Sequence, residues 1–388
     1  MKTIQALVPQ LRFDEFESEW AAHSLKSLLT HVVDNRGKTP PTEKQGIPLI
    51  EANAVGDRKI NYSVCSKYVT QSTFNDWFRK YLDSGDTVFT TVGSTAECSF
   101  YNGGEVAAIA QNLVGLRFGK QNSAFMFYAI STKSNQKKFK RIQMGAVQPS
   151  IKVSQMIHIK LDTPTLPEQE KIAAFLTSVD DRIDQLKRKK SLLQDYKKGV
   201  MQKLFSQELR FKDDNGKPYP DWEEKKLGSI SSIKTGKKDV NEGNPNGKYP
   251  FFTCAKRHTH SDGYSFDCEA ILIAGNGEVG HCQYYSGKFE AYQRTYVLSD
   301  FDIPSSYAFI YLNCFFREQV NREKQMGAMP YIKLGMLKDF LVKIPTSIDE
   351  QTKIANFLSS LDQKIEQIDT QITQTQSFKK GLLQQMFV

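Results

Sequence analysis

Two stretches of the chain carry apolar residues at three- and four-residue steps, over lengths that only helices sustain. In the first, Ile172, Phe175, Leu176, Val179, Ile183, Leu186, Leu193, Tyr196, Val200 and Leu204 fall on one stripe. In the second, Ile354, Phe357, Leu358, Leu361, Ile365, Ile368, Ile372, Phe378, Leu382 and Met386 fall mostly on matching positions. Lys, Arg, Gln and Asp fill the remaining surface. A narrow stripe with a seven-residue period is a helix–helix seam rather than a helix buried all round. Pro164 and Pro167 mark the start of the first helix and Pro345 that of the second. Helices of roughly 35–40 residues reach about 50–60 Å at 1.5 Å per residue. Equal length and matched register favour packing of the two helices on each other over packing of each on its own domain.

The match extends to the letters themselves. Glu168-Gln169-Glu170-Lys171-Ile172-Ala173-Ala174-Phe175-Leu176 returns as Glu350-Gln351-Thr352-Lys353-Ile354-Ala355-Asn356-Phe357-Leu358, an offset of 182 from 168 to 350. The same offset carries Lys197-Lys198-Gly199 onto Lys379-Lys380-Gly381 and Phe205 onto Phe387. A repeat of this length means two copies of one structural unit. Two similar surfaces in one chain suit a bipartite target, of which duplex DNA is the commonest.

Between the helices lie two stretches, about 20–163 and 220–345, rich in aromatic, β-branched and turn residues. They share punctuation more than sequence. Leu11-Arg12-Phe13 precedes Trp20 and Leu25, and Leu209-Arg210-Phe211 precedes Trp222 and Leu227. Gln143-Met144-Gly145-Ala146-Val147 reappears as Gln325-Met326-Gly327-Ala328-Met329, and Ile151-Lys152 as Ile332-Lys333. Thr87–Val92 and Ala270–Ala274 read as strands, and helices are expected from Ala124 to Ile142 and from Tyr307 to Met326. The layout is domain, helix, domain, helix. The domains have diverged further than the helices, as surfaces reading two different targets would.

Composition narrows the class. With 388 residues, 39% of them hydrophobic and 24% charged, the chain reads as a soluble protein of at least two domains. No run approaches membrane-spanning length and the start lacks a signal-peptide pattern, so a cytoplasmic location without a membrane partner is expected. Six scattered cysteines without a C-x-x-C pair imply reduced thiols. The net charge of +9 favours a polyanionic partner.

The E-Q-x-K-I-A-x-F-L box entering a long helix, its repetition near the C-terminus and the Leu-Arg-Phe…Trp linker together resemble the specificity subunit of type I restriction-modification systems. The resemblance covers essentially the whole chain. One departure is Ile348-Asp349, standing where the first copy has Leu166-Pro167; it reads as drift at the helix start. The resemblance implies an α+β chain in which two similar mixed α/β target-recognition domains are separated by two long helices. Those helices form an antiparallel coiled coil, with an internal pseudo-twofold repeat. The expected divisions are an N-terminal segment over 1–19, a first target-recognition domain over 20–163 and a helical spacer over 164–210. A second domain over 211–345 and a second helical spacer over 346–388 follow. The resemblance further implies a subunit without catalysis whose domains each read half of a split DNA site. Its helices dock two modification subunits that methylate adenine. S-adenosylmethionine, ATP and Mg belong to those modification subunits and to the restriction subunits that cleave, and no cofactor is expected in this chain.

Candidate chemistry within the chain is sparse. Gly275-Asn276-Gly277-Glu278-Val279-Gly280 spells G-x-G-x-x-G after an apolar strand. A dinucleotide site needs a helix next, and the following His281–Gly287 run reads as a second strand, so a strand-to-strand turn accounts for it better. Cys254, His258, His260, Cys268, His281 and Cys282 lack the short paired spacing of zinc ligands. Neither an Asn-Pro-Pro-aromatic methylation motif nor a G-x-x-x-x-G-K-[ST] loop occurs.

For DNA, Lys and Arg serve phosphates while Arg, Gln, Asn and Thr read base edges. Candidates on polar, glycine-punctuated loops are Arg36, Lys38 and Thr39, with Lys234, Lys237 and Lys238 as counterparts after the same Trp-Leu lead-in. Lys256-Arg257 and Gln293-Arg294 follow, the latter placed like Gln111-Asn112. The Lys133–Arg141 run reads either as a contact surface or as the polar face of its helix. Tyr331, beside Ile332-Lys333 and matching Ser150-Ile151-Lys152, either approaches the DNA backbone or packs. Two competing readings are a dinucleotide-dependent enzyme using the Gly275–Gly280 turn and a duplicated coiled-coil adaptor without DNA specificity.

Overall fold

The computed structural model describes residues 8–35, 38–322 and 331–388. The chain forms two compact units, one comprising the chain up to Lys187 with Thr370–Val388, the other Arg188–Asp369. Each long helix, Leu166–Phe205 and Ile348–Gln385, runs from one unit into the other.

In the first unit the strands are β1 (Ala21–Ser24), β2 (Leu29–Val33), β3 (Ile47–Ile50), β4 (Tyr68–Val69), β5 (Thr87–Thr90), β6 (Cys98–Phe100), β7 (Ala108–Ile109), β8 (Leu113–Phe118) and β9 (Lys160–Thr163). In the second they are β10 (Trp222–Lys226), β11 (Ser232–Thr235), β12 (Tyr249–Phe252), β13 (Thr259–Ser261), β14 (Phe266–Ala274), β15 (Cys282–Ala291), β16 (Thr295–Ser299) and β17 (Leu341–Pro345). A short antiparallel ribbon, β1–β9 or β10–β17, leads each domain into its long helix. The second domain carries one sheet in the order β11-β16-β14-β15-β12-β13. There β15 pairs antiparallel with β14 along most of its length and parallel with β12 at Glu290 and Ala291. The first domain keeps this order but divides it into β2-β8-β5-β6 and β4-β3-β7. The two roles of β15 fall to β6 and β7, the latter running parallel to β3. One topology thus serves both domains, and the residues between Phe100 and Ala108 break one strand into two.

The expected Ala124–Ile142 helix is two helices, Ser123–Ser131 and Lys133–Arg141. Thr132 interrupts them in extended backbone, its hydroxyl donating to the Ala129 carbonyl at 2.8 Å while capping the second helix. The basic run there is a polar face: Phe139 is buried against Phe89, and Lys138 pairs with Asp162 at 3.2 Å. The second expected helix spans Ser305–Tyr311, a π-helical turn Leu312–Phe316 and Arg317–Arg322. Its expected end at Met326, with the Gln325–Met329 box, lies outside the described residues.

The long helices pair antiparallel. In the second unit, Lys190 and Lys197 reach Asp369 and Asp362, so seven residues up one helix correspond to seven down the other. Ile172, Leu176, Val179, Ile183 and Leu186 are buried, as are Ile354, Leu358, Leu361, Ile368 and Ile372. Phe175, Leu193, Phe357 and Ile365 are half-buried. The stripe drifts, as a 3.6-residue turn does against a seven-residue period, and Tyr196 and Phe378 emerge on the surface at 53% and 54% exposure. The terminal aromatics close the cores. Phe387 packs on Trp20 and Phe125 in the first unit, and Phe205 on Trp222 and Tyr311 in the second.

Each helix start is pinned by one repeated device. Glu168, fully buried, accepts from Arg12 Nε and Nη2 at 2.8 Å each and from Trp20 Nε1 at 3.2 Å. Glu350 is bound the same way by Arg210, at 3.1 and 2.8 Å, and by Trp222 at 3.2 Å. A carboxylate in the first helical turn also meets the positive end of the helix dipole. The neighbouring glutamines tie back to the chain before the helix, Gln169 Nε2 to the Pro164 carbonyl and Gln351 Nε2 to that of Pro345. This anchoring does not use Pro167, and the second helix begins at Ile348, the repeat position of Leu166, without it.

Candidate nucleic-acid interface

Equivalent strand ends frame a cleft in each domain. At the end of β5, the Thr91 N–H donates to the Asn112 carbonyl at 2.8 Å and the Thr91 carbonyl accepts from the Ile151 N–H at 2.8 Å. At the end of β14, Gly275 and Arg294 form the first of these bonds at 2.9 Å, and Ile332 and Gly275 the second at 2.8 Å. Glycine is required there because a Cβ on Gly275 would stand 2.4 Å from the Arg294 carbonyl oxygen. The first cleft, about 670 Å³, is lined by Asp34, Asn35, Lys38, Trp77, Arg79, Thr91 and Gln111 over Leu113, Val114 and Val153. The second, about 370 Å³, is lined by Thr235, Gln293, Arg294, Tyr296, Tyr331 and Ile332.

The repeated backbone frame holds different side chains, and the loops before β8 and β16 supply a glutamine to each cleft. In the first, Thr39 Oγ1 donates to Gln111 Oε1 at 3.2 Å, while Lys38 is exposed. The Asn112 carbonyl belongs to the frame, and its side-chain oxygen is buried without a hydrogen-bond partner among the described residues. Arg36 lies outside the described residues. In the second, Gln293 Nε2 donates to Asp239 Oδ2 at 3.2 Å and the Arg294 side chain is exposed. Tyr296 donates its hydroxyl to the Ile332 carbonyl at 2.8 Å. Burial pushes this phenol up. Tyr331 is exposed at the cleft.

The other basic candidates do not gather there. Lys234 is exposed on β11 and Lys237 on the loop beyond it. Lys238 bends inward to Ser261 at 3.0 Å and buried Glu290 at 3.6 Å. Lys256 and Arg257 are exposed on the loop after Cys254, with Lys256 3.7 Å from Glu278. Sequence reading missed Trp77, Arg79, Thr235 and Tyr296, which reach the clefts through strand order and an insertion that no local pattern signals.

The Gly275–Gly280 run is the turn joining β14 to β15, with the Gly280 N–H on the Ala274 carbonyl at 2.9 Å. A strand follows it, so no helix N-terminus stands there for a pyrophosphate. Among the described residues no group of three or more His, Cys, Asp or Glu is arranged to hold a metal ion. No helix among them is long and apolar enough to cross a membrane.

Two related domains with differently furnished clefts, each tied to a long helix by an arginine on a fully buried glutamate, define a duplicated two-domain protein. The family model described as type I restriction modification DNA specificity domain matches it twice, over residues 17–194 and 219–375. The chain belongs to this family. It is 35% identical over 169 residues to the type I restriction enzyme EcoDI specificity subunit of Escherichia coli, covering 44% of this chain and 37% of that one. It is 28% identical over 232 residues to the putative type I restriction enzyme MjaX specificity subunit of Methanocaldococcus jannaschii, covering 57% and 54%. The chain thus spans about half or less of the length of these curated relatives. The crystal structure of a type I restriction-modification S subunit from M. genitalium shares the fold, with a TM-score of 0.67 at 18% identity over 98% of this chain and 99% of that one.

Proposed function

We propose that this chain is the DNA sequence-recognition subunit of a type I restriction-modification complex and carries no catalysis itself. Each domain reads one half of a bipartite, asymmetric site in double-stranded DNA. The observation that carries this reading is the pair of clefts, alike in backbone hydrogen bonds and unlike in side chains. A shared frame with Lys38 and Gln111 in one copy and Gln293 and Arg294 in the other suits two docking events on different base sequences. Exposed Lys38, Lys234, Lys237 and Arg257 supply phosphate contacts, which position the domains without carrying sequence information.

The paired helices set the gap between half-sites and dock two modification subunits. Tyr196 and Phe378 support the second role, being exposed aromatics at the same repeat position. One helical turn beyond each stands a glycine, Gly199 or Gly381, where an added Cβ would meet nothing within 4 Å. A mid-helix glycine costs roughly 1 kcal/mol relative to alanine, and neither is required by packing within its unit. Two such aromatic–glycine notches suit two copies of one partner helix. Methyl transfer from S-adenosylmethionine and ATP- and Mg-dependent cleavage belong to the modification and restriction subunits.

The test is retention of the chain, assembled with its modification subunit, on duplex DNA across a salt series. Phosphate neutralisation makes affinity fall steeply, by roughly a thousandfold or more between 50 and 200 mM salt for six or more contacts. Weak, salt-independent retention would favour the adaptor reading.

A further inference from the structure

The first cleft holds an element that the second lacks. Between β4 and β5 the chain inserts the helix Gln71–Trp77, capped by Thr70, whereas β13 and β14 are joined by residues 262–265 alone. The insert is firmly held. Phe78 is buried, Phe74 packs on Phe78 and Tyr81 with ring centroids 6.0 and 4.7 Å apart, and Tyr81 donates its hydroxyl to the Asn75 carbonyl at 3.0 Å. This scaffold brings Trp77 and Arg79 to the cleft that also holds Lys38 and Gln111. Among the described residues the buried Trp77 indole N–H has no hydrogen-bond partner, and exposed Arg79 makes no hydrogen bond or ion pair.

We propose that the Gln71–Arg79 insert is a reading element for one half-site only, with Arg79 contacting a base edge in duplex DNA and Trp77 shaping the wall beside it. Arginine is suited to this role because its planar guanidinium donates two parallel hydrogen bonds to guanine O6 and N7, which lysine cannot reproduce in that geometry. The inference rests on the specificity-subunit reading and deepens it by making the two halves unequal in how they are read.

The experiment is long-read methylation mapping in a host carrying the full chain and its modification subunit, comparing wild type with Arg79→Ala and Arg79→Lys. Both Arg79 variants are expected to lose discrimination at one position of one half-site, by roughly tenfold or more, with the other half-site unchanged. A wild-type motif in Arg79→Ala overturns the proposal. So does complete loss in Arg79→Ala that Arg79→Lys restores with the original motif, since that marks a phosphate contact. Complete loss in both Arg79 variants, with the second half-site also unread in a binding assay, places the damage outside the cleft and equally overturns it. A wild-type chain giving no bipartite motif would defeat the underlying reading, which an unchanged motif in the variants would leave intact.

Discussion

Lys379 lies 2.7 Å from Asp180 in the first unit, and the repeat turns this pair, with the helices exchanged, into Lys197 and Asp362 at 2.5 Å in the second. One register therefore governs the seam in both units. The surroundings differ: Asp180 is 9% exposed and also accepts from Tyr128 at 2.8 Å, with Arg58 3.8 Å away, whereas Asp362 is 53% exposed. Replacing Asp180 with Ala removes a shared acceptor from a buried cluster, and about 3 kcal/mol of stability is expected to be lost. Asp362→Ala is expected to cost under about 1 kcal/mol. Urea unfolding of the two variants checks this, and equal costs would contradict the asymmetry.

The Arg210–Glu350 pair predicts a larger loss. Arg210→Ala strands a fully buried carboxylate beside Trp222, and about 3–5 kcal/mol is expected to be lost from the second unit. Arg210→Lys restores little, because one ammonium cannot serve both carboxylate oxygens and the Pro220 carbonyl. Thermal unfolding measures both, and full rescue by lysine would show that charge alone suffices.

Stability and assembly are expected to part at the aromatic–glycine positions. Gly199→Ala and Gly381→Ala, in open space, are each expected to raise the stability of the free chain by roughly 0.5–1 kcal/mol. Tyr196→Ser and Phe378→Ser are expected to change it by no more than about 0.5 kcal/mol. Complex mass with the modification subunit is the discriminating readout. Each aromatic variant is expected to bind one copy fewer, and unchanged stoichiometry in the double variant would remove this surface from the docking account.

The spacer role has its own signature. Inserting one helical turn at equivalent positions of both long helices is expected to change the length of the unread gap and leave both half-sites as they were. Mapping the methylated sequence of such a variant decides the matter; altered half-site letters would show that the helices do not set the gap.

The long helices were legible because their burial follows a period, and the repeat set their nearly equal lengths of 40 and 38 residues. The second helix starts in register without Pro167 because Glu350 and Gln351 hold the chain there through Arg210, Trp222 and Pro345. The sequence also displayed both halves of that anchor, Leu-Arg-Phe and the Glu-Gln box, as separate repeats. Their meeting is a contact across 156 residues in one copy and 140 in the other, which periodicity does not encode. The break at Thr132 was hidden for a local reason: one hydroxyl competes with the helix ladder between two helix-forming runs. The clefts were half legible. Gln111 and Gln293 stood out as matched loop residues, but Trp77 and Arg79 enter through an insertion that has no second copy to compare with.

On the proposed function the two domains read two different halves of one DNA site. Long-read methylation mapping of a host carrying this chain and its modification subunit, set against deletion of the chain, tests it most directly. The expected result is a split, asymmetric adenine motif that disappears on deletion. An unchanged methylation pattern, with the modification subunit expressed and active, would contradict it.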